Sequence, residues 1–281
     1  MRHRNILLLS LASLFMLTAF TPRRTGKPAV PKAVRKQYLE VPAGEAVIAG
    51  EHTQVNAFFL SRTEVSNLEY REFIADLKRT GDDKALVAAL PDTAQWATTF
   101  AFCEPFRVHY NSHPAYNNYP VVNVGQQAAV AYCSWLERKL NALAPEGTSY
   151  KVRLPSHTEW VRAAQGLKTA APYTWGGPYT RNSKGCFLAN YRAERGDTLG
   201  VAARFHDNAD ITAPVTSYFP NELGLYCMNG NVAEWLQDPD LAAGGSWRDV
   251  CADIRNESVA TVTGPVPTVG FRPLVQVVLA E

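Results

Sequence analysis

The sequence has no large excess of either charge, no Cys-x-x-Cys pair and no internal repeat. It has 28 Lys and Arg against 26 Asp and Glu, and removing residues 1–20 takes away Arg2 and Arg4 and leaves 26 of each. No basic run is longer than a pair. This excludes a typical nucleic-acid-binding protein and a polybasic membrane-surface protein. The 281 residues include 18 Gly, 18 Pro and 30 aromatic side chains, which favours a loop-rich globular protein.

Beyond residue 20 there is no long apolar run either. Residues 1–20 combine a basic start with fifteen mostly apolar residues, which is typical of a secretory signal peptide. A retained anchor is the alternative, but a membrane span needs about 20 apolar residues. The run ends without a Cys, so lipidation at a Cys is not available. We expect an exported protein, periplasmic or associated with the outer membrane, with no integral span once the signal is removed.

The predicted organisation after the signal is a flexible tether over residues 21–37 and one domain over residues 38–281. The tether is basic and contains proline. Five cysteines lie in the domain: Cys103, Cys133, Cys186, Cys227 and Cys251. In an oxidising compartment an odd number leaves at least one thiol free or bonded to another chain. The sequence does not decide which cysteines pair, although Cys133 falls on the apolar face of a predicted helix and is expected in the core.

Three segments have the apolar spacing and the end signals of helices. In the first, Ser66 and Glu69 form a capping-box pattern and Gly81 follows as a stop. The third repeats this device with Ser156 and Glu159. The predicted helices cover residues 66–79, 126–143 and 156–166.

Regular structure is expected to be sparse elsewhere. Residues 55–60 predict a strand, whereas residues 167–281 show little periodicity. A long irregular region inside a compact domain needs something other than a sheet ladder to hold it, and bound cations would do so.

Five motifs in order along the chain resemble the formylglycine-generating enzyme family, also called sulfatase-modifying factor domains. They are RLPSHTEWVRAA (153–164), YTWGGPY (173–179), APVTSYFPNELGLYCMNGNVAEW (213–235), AGGSWRD (243–249) and GFRP (270–273). The resemblance implies a single α+β domain with a variant C-type-lectin-like fold, poor in regular secondary structure. Within the motifs we expect Trp160, Trp175, Trp235 and Trp247 in the core, and Arg272 paired with a buried carboxylate or a set of carbonyls.

Three upstream segments resemble one branch of the family, the gliding-motility lipoproteins of type IX secretion machinery. They are LPDTAQW (90–96), CEP (103–105) and HPAYNNYPVVNV (113–124). The resemblance implies an exported structural component whose partners are other envelope proteins of secretion or gliding. The chain departs from that branch because it lacks the lipidated Cys.

The family's enzymes hold copper with two cysteines, three and eight residues beyond the Ser of the GGS motif. Counted from Ser246, these positions are Asp249 and Ile254. Copper(I) needs soft thiolates, so copper is not expected here. Cys251 lies nearby in the sequence. Whether Cys186 or Cys227 lies close to Cys251 in the fold is not decided by the sequence.

Three kinds of function are compatible with this comparison. We predict a non-catalytic scaffold or partner-binding protein. The alternative is a periplasmic oxidase or other tailoring enzyme on the same fold, whose weak catalytic candidates are Ser246, Trp247 and Cys251. An iron site is not favoured, because the residues between His109 and His113 and the following Pro114 are typical of a loop, and no third ligand is evident. A carbohydrate- or peptide-binding module is a third reading, since a fold does not determine function.

Structural calcium is the cofactor we expect. Calcium takes six to eight oxygen ligands, many of them backbone carbonyls. The turn-forming segment around Gly230 offers the carbonyls of Asn229, Gly230 and Val232 with the charge of Glu234, and the resemblance places a calcium site there with Glu64 as a further contributor. The resemblance places a second calcium site at Asn190, Tyr191, Asp207 and Ala209. Asp210 is the alternative to Asp207 as a ligand of that site. The alternative is that Glu234 and Asp207 only cap turns.

Overall fold

A computed structural model describes residues 32–193 and 211–279. The predicted signal peptide and the first part of the predicted tether lie outside these ranges. The α-helices of the described residues are α1 (Lys32–Gln37), α2 (Asn67–Thr80), α3 (Asp83–Ala89), α4 (Glu104–His109), α5 (Gln126–Ala142) and α6 (His157–Gln165), and short 3-10 helices cover Thr93–Thr98 and Pro114–Tyr116. None of these helices has the length and apolar composition needed to cross a membrane.

The strands of the described residues are mostly short. They are β1 (Tyr38–Val41), β2 (Gly44–Ile48), β3 (Glu51–Val55), β4 (Phe58–Ser61), β5 (Thr148–Arg153), β6 (Ala233–Trp235), β7 (Leu241–Ala243), β8 (Val259–Thr261), β9 (Val269–Gly270) and β10 (Leu274–Leu279). One antiparallel sheet has the order β1-β4-β10-β5, and β2 and β3 form a separate hairpin. A second sheet has the order β8-β7-β6-β9, in which β6 and β9 run parallel.

The predicted α+β, loop-rich character is confirmed. Between α6 and β6, the described residues contain neither a helix nor a strand, apart from one isolated bridge between Arg181 and Phe187. This stretch connects the helical half of the chain to the second sheet, and it contributes side chains to the polar centre described below.

The predicted strand over residues 55–60 is wrong in its bounds. Val55 ends β3 and Phe58 begins β4, with two residues of irregular backbone between them. Val55 pairs with Gly44 in the hairpin, whereas Phe58 pairs with Val41 in the large sheet. The chain therefore changes sheets within an apolar run that looks continuous in the sequence.

Both predicted capping boxes are confirmed. The Ser66 hydroxyl accepts a hydrogen bond from the Glu69 amide at 3.3 Å, and the Glu69 carboxylate accepts one from the Ser66 amide at 2.8 Å. Ser156 and Glu159 repeat this reciprocal pair at the start of α6. Such pairs satisfy amide groups that the first turn of a helix leaves without partners.

The Glu159 carboxylate gives the start of α6 a dependence on pH. Burial raises its pKa, but hydrogen bonds from Arg153 at 2.7 Å and from Ser156 outweigh burial and hold the pKa below its ordinary value. The folded state therefore favours the ionised form, and this stabilisation is lost as the pH falls through and below about 4.5. We expect Glu159→Gln to cost about 1–2 kcal/mol at pH 7 and progressively less towards pH 3, measured by urea unfolding. A cost that is independent of pH would contradict this.

The core prediction is largely confirmed. Trp160, Trp235 and Trp247 are buried, whereas Trp175 is only half-buried. Cys133 lies in the cluster formed by α2, α5 and the large sheet, and burial raises the pKa of its thiol. No described cysteine forms a disulfide.

Candidate functional site

Three charged side chains meet in the interior, where the second sheet approaches β4 and β10. Glu234 is the central residue of β6, and Arg272 lies between β9 and β10. Arg272 donates to both carboxylate oxygens of Glu234, each at 2.6 Å, and Trp160 donates to the same carboxylate at 2.7 Å. The predicted pairing of Arg272 with a buried carboxylate is confirmed. The negative charge of Glu234 is thus neutralised by the Arg272 guanidinium inside the protein.

Arg272 also ties separate parts of the chain together. Its guanidinium donates to the carbonyl of Ser61, where β4 ends, at 3.2 Å and to that of Tyr226 at 2.8 Å. Burial lowers the pKa of Arg272, but Glu234 outweighs burial and holds it above its ordinary value. Loss of this guanidinium would therefore leave several buried acceptors without a donor.

Glu64 is the second carboxylate of this centre and is completely buried. Asn231 donates to its Oε1 at 2.8 Å, and no described residue donates to its Oε2. The pKa of Glu64 is raised to about 8, mainly by burial; Arg272 lowers it and Glu234 raises it, but burial outweighs the effect of Arg272. A buried carboxylate oxygen without a donor is a position that a cation can satisfy.

Asn231 joins Glu64 to the segment that contains Asn190. Its backbone amide donates to the Asn190 carbonyl at 2.7 Å, and the Asn190 side chain donates to the Asn231 Oδ1 at 3.2 Å. A Cβ atom added to Gly230 would lie 2.3 Å from that same carbonyl. The structure therefore places Asn190, which belongs to the second predicted calcium site, in contact with Gly230 and Asn231 of the segment predicted to form the first site.

The other predicted calcium ligands divide into three groups. Tyr191 is buried and its hydroxyl hydrogen-bonds with Thr180 at 2.7 Å. The backbone carbonyls of Asn229, Gly230 and Val232 accept no hydrogen bond from the described residues. Three candidates lie outside the described residues: Asp207, Ala209 and Asp210.

The segment that follows β7 contains the weak catalytic candidates. Both the amide and the hydroxyl of Ser246 donate to the Asp249 carboxylate, at 2.8 and 2.6 Å, so Asp249 closes a tight turn. Ile254 is completely buried. Cys251 is partly exposed, and its carbonyl accepts a hydrogen bond from Tyr173 at 2.7 Å.

Trp247 is fixed from two sides. Its indole N–H donates to the Pro267 carbonyl at 3.2 Å, and its ring stacks on Phe100 with centroids 5.8 Å apart. Phe100 belongs to the segment between the predicted branch motifs, and that segment therefore covers the Trp247 side of the turn.

A cavity of about 370 Å³ lies beside this turn. Asp249 and Asp253 contribute its acidic side, and Ser258 and Thr268 also line it, over small apolar residues of the second sheet. Within the described residues no three or more His, Cys, Asp or Glu side chains are grouped to hold a metal ion. The chemistry available in the cavity is that of carboxylates and hydroxyls.

Sequence reasoning missed two residues of the buried centre. Asn231 connects Glu64, Asn190 and Ala213, and Trp160 donates to Glu234 in addition to filling the core. The Asn-Gly-Asn sequence is the signal for Asn231, because Asn tolerates the left-handed backbone it adopts, with φ of 62°. No local signal points to Trp160.

Fold and site together define an α+β protein whose irregular half is fixed around buried polar residues. A profile of the Sulfatase-modifying factor enzyme 1-like domain matches residues 28–277, so the chain belongs to this formylglycine-generating-enzyme (FGE-sulfatase) family. The predicted family is confirmed.

The relatives include proteins named as formylglycine-generating enzymes and proteins named as inactive ones. The chain is 27% identical over 250 residues to the formylglycine-generating enzyme of Thermomonospora curvata, covering 77% of this chain and 74% of that protein. It is 31% identical over 170 residues to the inactive C-alpha-formylglycine-generating enzyme 2 of Bos taurus, covering 55% and 49%. The structure of PvdO from Pseudomonas aeruginosa is similar in fold, with a TM-score of 0.56, 18% identity and coverage of 85% and 94%.

Proposed function

We propose that this chain is a non-catalytic protein of the bacterial envelope that uses the family fold to bind partner proteins of secretion or gliding machinery. The turn after β7 is the observation that carries the proposal. Counted from Ser246 by the family resemblance, Asp249 and Ile254 correspond to the copper-binding thiols. Asp249 is hydrogen-bonded to Ser246, and Ile254 is buried in the core. A linear copper(I) site needs two thiolates, and this turn supplies neither at those positions.

A tailoring enzyme on the same fold is the second candidate. The cavity of about 370 Å³ beside Ser246 favours it, because Asp249 and Asp253 offer carboxylates for acid–base chemistry. This candidate requires a small substrate in the cavity, whereas the partner-binding protein does not.

Copper loading distinguishes the proposal from a formylglycine-generating oxidase. The purified protein is incubated with copper(I), oxygen and a cysteine-containing sulfatase peptide, with the Thermomonospora curvata relative as positive control. We expect the relative to convert the peptide cysteine and this chain to leave it unchanged, as followed by mass spectrometry. Conversion by this chain that is lost in Cys251→Ser would overturn the proposal.

Cross-linking in the native envelope tests the partner-binding half of the proposal. Full-length protein is cross-linked in intact cells and purified under denaturing conditions. Recovery of secretion or gliding components supports the assignment. Recovery of the chain alone, at expression levels matching the native ones, contradicts it.

We also propose that the buried centre holds structural calcium. The donors that support this are oxygen atoms without hydrogen-bond partners among the described residues, namely the carbonyls of Asn229, Gly230 and Val232 and the Oε2 of Glu64. Oxygen donors of this kind suit calcium. The Glu234 carboxylate contributes by neutralising Arg272, not as a free ligand. Asn190 supplies a buried Oδ1 that also lacks a partner.

Calcium addition is expected to raise the melting temperature of the metal-free protein by several degrees, because a ligand that binds only the folded state stabilises it. Magnesium at the same concentration serves as control, since it requires a tighter octahedral site. We expect Glu64→Gln to reduce the calcium-induced shift while the variant remains folded without calcium. An unchanged melting temperature at about 5 mM calcium would contradict the assignment.

A further inference from the structure

A second cavity, of about 250 Å³, lies away from the charged centre and the turn after β7. Trp175, Phe219, Leu188 and Pro220 form its apolar lining, and the cavity is also lined by Lys168 and Glu222. We call it the Trp175 cavity. It is large enough for one small ring compound, and nothing in the preceding proposals uses it.

Trp175 forms a fixed platform in this cavity. Its ring stacks on Tyr173 with centroids 4.7 Å apart and an angle of 10° between the planes, and Tyr173 is itself buried. The indole N–H donates to the Tyr179 carbonyl at 2.8 Å. One face of the indole is therefore covered by Tyr173, and the orientation of the ring is set.

Phe219 adds a second aromatic surface, and 87% of it is exposed. The chain next to it is anchored, because the Asn221 side chain donates to the Ala163 carbonyl at 2.9 Å and accepts from the Leu225 amide at 3.1 Å. An exposed aromatic on an anchored segment beside a fixed indole offers apolar contact area at little cost in conformational entropy.

The charged groups of the Trp175 cavity cancel each other. The Lys168 ammonium lies 2.5 Å from a Glu222 carboxylate oxygen and also donates to the Trp175 carbonyl at 3.1 Å. The pair thus provides a donor and an acceptor in fixed positions without a net charge. This arrangement favours neither an anion nor a cation, but it suits a neutral ligand with several hydroxyl groups.

We propose that the Trp175 cavity binds a neutral carbohydrate. One sugar ring has an apolar C–H face, which would lie against the indole and Phe219, and a rim of hydroxyls, which would hydrogen-bond with Lys168 and Glu222. Pockets of this kind combine aromatic walls with a few fixed polar groups. The site is independent of calcium and of the proposed partner proteins.

Saccharide titration of the whole protein tests the proposal. The probes are N-acetylglucosamine, chitotriose, maltotriose and cellotriose, followed by calorimetry and by saturation-transfer NMR. We expect at least one probe to bind, and Phe219→Ser and Lys168→Met each to weaken that binding about tenfold. Phe102→Ser is the matched control, since Phe102 is 93% exposed and does not line the cavity. It should leave binding unchanged.

Three results would overturn the proposal. The first is the absence of binding by every probe up to about 20 mM. The second is binding that Phe219→Ser and Lys168→Met both leave intact. The third is binding that EDTA abolishes, which would place the sugar on a bound cation instead of on the Trp175 platform. Retained binding in EDTA, lost in Phe219→Ser, supports it.

Discussion

Replacement of Arg272 by methionine is expected to lower the free energy of unfolding by about 3–5 kcal/mol. The side chains of Arg272 and Glu234 are 0% and 1% exposed. Methionine fills similar space but leaves the Glu234 carboxylate buried without its cation, and it removes donors from the Ser61 and Tyr226 carbonyls. Urea unfolding at neutral pH measures the loss.

Two further variants separate the charge effect from lost packing. Glu234→Gln combined with Arg272→Met keeps an acceptor for the Trp160 indole and removes the unpaired charge, so it should be more stable than Arg272→Met alone. Arg79→Met breaks the exposed pair with Asp76 and should change stability far less than Arg272→Met does, because exposed ion pairs contribute little. Equal effects of Arg272→Met and Arg79→Met would contradict the role given to the buried pair.

Gly230→Ala is expected to cost about 2–5 kcal/mol, from a left-handed backbone and from overpacking. Gly230 has φ of 71°, and a Cβ there would lie 2.3 Å from the Asn190 carbonyl oxygen. Neither group can move easily, because the same carbonyl accepts the Asn231 amide. The variant should unfold at a much lower urea concentration than the unsubstituted protein.

Gly185→Ala is the matched control for the steric part of this loss. Gly185 has φ of 85°, but no atom lies within 4 Å of an added Cβ. Only the backbone cost of about 1–2 kcal/mol remains there. If the two alanine variants lose the same stability, the close contact between Gly230 and Asn190 does not constrain the fold.

The parts of this fold that the sequence predicts are those encoded locally. Ser66 with Glu69 and Ser156 with Glu159 fix two helix starts through side chains three residues apart, so the pattern is legible without tertiary contacts. The break between β3 and β4 at residues 56–57 is different. It is decided by the pairing of Val55 with Gly44 and of Phe58 with Val41. Strand bounds of that kind depend on partners distant in sequence.

The buried centre could be predicted only in part, because its contacts also join residues that are distant in sequence. The GFRP motif predicts that Arg272 pairs with a buried carboxylate or a set of carbonyls, but residue spacing does not reveal that Glu234 is the partner, 38 positions away. The contact of Asn190 with Gly230 and Asn231 likewise depends on the path of an irregular chain. Asp207 and Ala209 stay predictions, since they lie outside the described residues.

Metal content of the purified protein tests the central claim most directly. Calcium, copper, iron and zinc are measured per chain in the unsubstituted protein and in Cys251→Ser. A non-catalytic family member is predicted to contain calcium in both, with no stoichiometric transition metal. Stoichiometric copper or iron that is lost in Cys251→Ser would contradict the account and indicate a redox enzyme.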